Sequence, residues 1–93
     1  AHKGELKTLN MAAQNSRLAI NHLKQSIEKY PKSQESRRKL LKEQGLNSEQ
    51  VEAVIGIGAY ELPQMKQELE NAIATLAEAE QRIKDLYEEA RSQ

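Results

Sequence analysis

The chain has 93 residues, 14 Lys/Arg against 14 Asp/Glu and a formal net charge of zero, a length that fits one small domain, expected to span residues 1–93. It has no Cys, which excludes disulfides, zinc–thiolate sites and thiol chemistry, and its only aromatic residues are three Tyr, a poor platform for stacking nucleic-acid bases. No apolar run approaches the roughly 20 residues of a membrane span. With no leader segment read either, a cytoplasmic protein is expected.

The first predicted element is a long helix over residues 5–30. Leu6, Ala13, Ile20 and Ile27 fall seven apart, and Leu9, Ser16, Leu23 and Tyr30 each follow three residues later. This 3-4 spacing draws one seam on a slightly underwound helix, and the seam must be buried against another helix. Pro31 is expected to end the helix, because it lacks an N–H and pushes the preceding residue out of the α region. Met11 and Leu18 mark a second stripe, read as adjoining the seam.

A short helix over 34–44 is predicted next, with Ser33 as its N-cap and Gly45 as its stop. Leu41 and Leu46 then take the two positions that touch in a Schellman cap. A third helix is predicted over 48–58, capped by Asn47 with Gln50 three residues on, and weakened by Gly56-Ile57-Gly58. The fourth is a second long helix over 62–91, with Pro63 in its first turn. Its seam is Leu62, Leu69, Leu76, Ile83 and Ala90, with Met65, Ala72, Ala79 and Leu86 between them. The expected fold is all-α: an antiparallel hairpin of two long heptad-patterned helices with two short helices between them.

Charge is unevenly placed. Residues 1–42 carry ten bases and three acids, and residues 43–93 carry four and eleven. A basic first helix lying against an acidic last helix is one consequence; a basic surface for phosphates is the other. The densest basic cluster is Lys32, Arg37, Arg38, Lys39 and Lys42. From Lys39 through Gly45-Leu46, the Asn47 cap and Val51 to Gly56-Ile57, the chain is similar to the opening of helix-turn-helix DNA-binding domains, and ubiquitin-binding three-helix domains show a comparable run. The first resemblance implies nucleic-acid binding through residues 32–42 and the Gly45 turn. Glu52 departs from its small-residue position, and the following helix is acidic where base-reading side chains belong. His22-Leu23-Lys24 faintly resembles the histidine of helical phosphotransfer domains, except that Gln25 stands where that family has Gly.

Neither His2 nor His22 has a ligand at metal spacing, the carboxylates of the last helix are spread around it, and Gly56-Ile57-Gly58 is too short for a phosphate loop. No enzyme, cofactor or metal is therefore expected. The expected function is a protein–protein interaction module: an adaptor, regulator, chaperone or inhibitor. The apolar residues beyond the seams (Met11, Leu18, Ile73 and Tyr87) point to a homodimer. The candidate contact residues are Met11, Leu18, Arg37, Arg38, Lys39 and Lys42, and the alternative is the nucleic-acid binder.

Overall fold

The computed structural model describes residues 2–92, and the side chains of 3–92; Ala1 and Gln93, at the ends of the expected domain, lie outside the described residues. It is all-helical, with α1 at His2–Glu43, α2 at Ser48–Ile57 and α3 at Glu61–Ser92, and no strand among the described residues. The expected four helices are therefore three. The predicted break at Pro31 is absent, and the two elements expected over 5–30 and 34–44 are one helix of 42 residues. Ser33, expected as an N-cap, is an exposed residue inside it.

An interior proline costs a helix about 3 kcal/mol, because the carbonyl four residues back loses its donor and the ring crowds it. Tertiary packing offsets that cost here. The seven-residue series of the first seam does not stop at Ile27 but continues through Gln34 and Leu41, which are buried and half-buried. α1 thus keeps one face packed on both sides of Pro31, while the ring itself is exposed.

The chain reverses at residues 44–47. Gly45 takes a left-handed φ of 96°. The Leu46 N–H donates to the Leu41 carbonyl (3.2 Å) and the Gly45 N–H to that of Lys42 (3.0 Å), the two bonds of a Schellman motif. The Asn47 side chain then accepts from the Gln50 N–H at 2.8 Å, and the Gln50 side chain accepts from the Asn47 N–H at 2.9 Å. This reciprocal capping box starts α2. Two caps back to back leave no room for a longer loop, so α2 returns along α1.

From that turn onward residue numbers fall along α1 as they rise along the returning strand of helices. Arg38 meets Glu52, Tyr30 meets Gly58, Arg17 meets Glu80, and Glu5 meets Arg82. α2 and α3 both pack on α1 and make no contact with each other. They are consecutive pieces of one second limb, interrupted at 58–60, and their 10 and 32 residues match the 42 of α1. The heptad register of this limb survives the interruption. Ile55 precedes Leu62 by seven, and Val51 and Gly58 precede Met65 by fourteen and seven. The expected placement of two short helices between the long ones is thus replaced by a turn near the middle of the chain.

The result is a rod of 71 × 17 × 16 Å with a radius of gyration of 20.8 Å, against about 12 Å for a compact chain of this length. Its core is a line. Ala13, Ile20, Val51, Ala79 and Leu86 are the buried apolar residues, with Ser16 and Gln34 as buried polar ones. Ala13, Ser16 and Ala79 share one level, marked by the neighbouring Arg17–Glu80 pair, and such small side chains let the limbs approach closely. The seam is bracketed by ion pairs. Arg17 and Glu80 each follow a seam residue, and Glu5 and Arg82 each precede one, so the two pairs lie on opposite flanks.

Candidate interaction surface

Helical geometry places the candidate residues. Met11 lies two residues after Leu9 and two before Ala13, about 200° from each. Leu18 stands in the same relation to Ser16 and Ile20. Both point away from the seam, which corrects their reading as an adjoining stripe. They are 56% and 61% exposed. Their stripe continues every seven residues through Gln25, Lys32 and Lys39, so the outer face of α1 changes along its length from apolar to basic.

The segment around Met11 and Leu18 is nearly free of charge, with Lys7 one turn before Met11 at its edge. Between residues 8 and 23 the only charged residue is Arg17. Arg17 is turned to the flank, where its guanidinium donates to Glu80 at 3.1 Å. Thr8, Asn10, Gln14, Asn15, Ala19, Asn21 and His22 complete the exposed surface of this segment.

Ile73 and Tyr87 are also exposed, but elsewhere. Each follows a seam residue (Ala72, Leu86) by one position, on the flank that carries Glu80 between them. The four residues expected to form one apolar arc therefore occupy two faces. Three further apolar residues stand exposed: Leu40 near the turn, and Ile57 and Tyr60 beside the interruption at 58–60. Leu40 was readable as the apolar neighbour of the seam residue Leu41; Ile57 and Tyr60 are exposed by the interruption of the second limb, which the heptad pattern conceals.

The basic cluster is split. The Arg38 Nε donates to Glu52 at 3.0 Å, which ties α1 to α2 and removes Arg38 from a free patch. Arg37 faces the opposite groove, beside Glu61 and Met65. Lys39 and Lys42 are exposed along a shallow groove with Glu35 and Ser36. At the other end of the rod the Arg82 guanidinium lies 2.9 Å from Glu5 and 3.4 Å from Glu89. Its pKa is raised above the ordinary value, first by the hydrogen bond to Glu5 and then by that carboxylate's charge.

Among the described residues there is no cluster of three His, Cys, Asp or Glu able to hold a metal ion, and no helix is long and apolar enough to cross a membrane. His22 is exposed on the outer side of α1. The surfaces this rod offers are helix faces: an uncharged one, a basic one and a flank with two isolated apolar groups. No family description, known protein or solved structure matches this chain.

Proposed function

We propose that this protein is a non-enzymatic helical interaction module, an adaptor, regulator, chaperone or inhibitor, and that it pairs with a second copy of itself through the outer face of α1. The observation that carries this reading is the charge-free segment at residues 8–23. Of the ten bases and four acids of α1, only Arg17 falls inside it, and Met11 and Leu18 stand exposed at its centre. A solvated helix face has no need of such a gap. A two-fold pair buries the face it uses, and any charge there without an opposite partner would cost desolvation energy. Elsewhere α1 is basic and repels its own copy. A cytoplasmic setting accords with the cysteine-free composition.

Sedimentation velocity over a micromolar concentration series tests this. Wild-type protein is expected to shift from monomer to dimer, and Leu18→Lys to stay monomeric with unchanged helicity by circular dichroism. A wild-type chain that remains a monomer at high micromolar concentration refutes the pairing.

The alternative of nucleic-acid binding rests on Arg37, Lys39 and Lys42, which have no ion-pair partner among the described residues. α2 lies back along α1 instead of crossing it, so this reading now depends on phosphate contacts and not on a base-reading helix. A gel shift that weakens steeply between low and physiological salt, and is lost in the Arg37→Ala/Lys39→Ala/Lys42→Ala variant, would support it; a shift that survives the triple change would end it.

A further inference from the structure

We infer that the rod bends at one transverse joint, where Pro31 removes a backbone donor from the continuous α1 and, at the same level, the segment from Gly58 to Pro63 interrupts the second limb. The coincidence of level is direct: the Tyr30 hydroxyl reaches the Gly58 carbonyl, and Tyr30, Gln34, Ala59, Leu62 and Pro63 line one groove. On α1 the Ile27 carbonyl loses its usual donor four residues on, since Pro31 has no N–H. On the second limb the N–H groups of Gly58, Ala59 and Glu61 donate to carbonyls only three residues back, those of Ile55, Gly56 and Gly58. α2 and α3 do not lie side by side, so across that gap they are joined by these backbone bonds and by their common packing on α1.

The seam is also weakest here. Gln34 occupies a seam position, is 8% exposed, and its Oε1 is buried without a hydrogen-bond partner. The Tyr30–Gly58 contact is long, 3.4 Å, against about 2.7–2.8 Å for a good hydroxyl bond. Grooves lie on both sides of this level, one beside Met65 and Glu61 and the other beside Ile55 and Pro63, and both are lined by Tyr30 and Gln34. A bend toward one side closes one groove and opens the other.

The joint separates a stem, which carries Met11, Leu18, Ile73 and Tyr87, from a head, which carries Arg37, Arg38, Lys39, Lys42 and the exposed Leu40 and Ile57. Any partner that touches both parts sets the angle between them. This inference stands apart from the self-association reading, since it concerns a single chain.

Residual dipolar couplings of the backbone amides test it on the intact protein. One alignment tensor is expected to fit the stem (residues 3–26 and 66–91), and a second of smaller magnitude to fit the head (35–57). In Pro31→Ala/Gly58→Ala/Pro63→Ala a single tensor is expected to fit both. Wild-type couplings that fit one tensor throughout overturn the joint without recourse to any variant. Two tensors that persist in the triple variant overturn its assignment to these residues.

Discussion

The glycines offer a test in which one substitution is expected to have opposite signs at two places. Gly45 sits at φ 96°, and a Cβ built there meets nothing within 4 Å. Gly45→Ala therefore adds no clash, and its cost is that of holding an L-residue in the left-handed region, roughly 1–2 kcal/mol. Gly56 lies inside α2, and a Cβ there also meets nothing within 4 Å. Gly56→Ala removes backbone freedom from the unfolded chain and is expected to stabilise by about 0.5–1 kcal/mol. For a domain of this size each kcal/mol moves the melting temperature by about 4–8 °C. Gly45→Ala should melt roughly 4–16 °C below wild type, and Gly56→Ala about 2–8 °C above it. Both are read by circular dichroism at one fixed protein concentration, because self-association would raise the apparent stability. Shifts of the same sign would refute the assignment of Gly45 to a strained cap and of Gly56 to the last helical turn of α2.

The capping box makes a second prediction: Asn47→Ala should cost about 1 kcal/mol in urea unfolding, with the loss confined to the cap, so that a Ser at the same position restores most of it. At the narrow level of the seam, Ala79→Leu should destabilise by about 1–3 kcal/mol, since the facing Ala13 and Ser16 leave no space for a larger side chain. The same change at the exposed Ala77 is expected to fall within about 0.5 kcal/mol of wild type. Equal effects at the two alanines would mean that the limbs do not approach closely there.

Local chemistry was readable in the sequence wherever one short segment decides the outcome. The Gly45 stop, the Leu41–Leu46 Schellman pair and the Asn47–Gln50 box all depend on residues within a few positions of one another. Pro31 does not end α1 because the proline rule is local while its compensation, packing on both sides, is not. The tell was present: Ile27, Gln34 and Leu41 continue the seven-residue series, but a glutamine in the seam hid it. The same happened at Gly58, a seam position with no side chain. Topology followed from these two errors, since a helix that ends at 30 requires a reversal there, and a helix that runs to 43 moves the reversal to Gly45. On the surface, Met11 and Leu18 were found by their spacing, but their direction was not. Two residues from a seam position is the far side of a helix.

The balanced and opposite charges of the two halves mean something different once the pairs are located. Three ion pairs join the limbs among the described residues, and all are exposed. Exposed pairs contribute about 0–1 kcal/mol each, so charge does not hold this rod together; the seam and caps do. Most of the charge faces outward, where it acts on approach. Two copies that meet through residues 8–23 have two ways to align α1. Side by side and parallel, the basic segments at 24–42 lie against one another and repel. Antiparallel about Asn15, near the centre of the charge-free segment, residue i would stand opposite 30 − i, so residues 29–42 would extend past the N-terminus of the other α1 and only Lys24 and Glu28 of the basic segment would face it. In the proposed pair, the gap in the charge pattern would set where the two α1 helices meet, and the bases beyond it would favour the antiparallel alignment. In that alignment the two heads project from opposite ends of the pair, each with its own joint at Pro31.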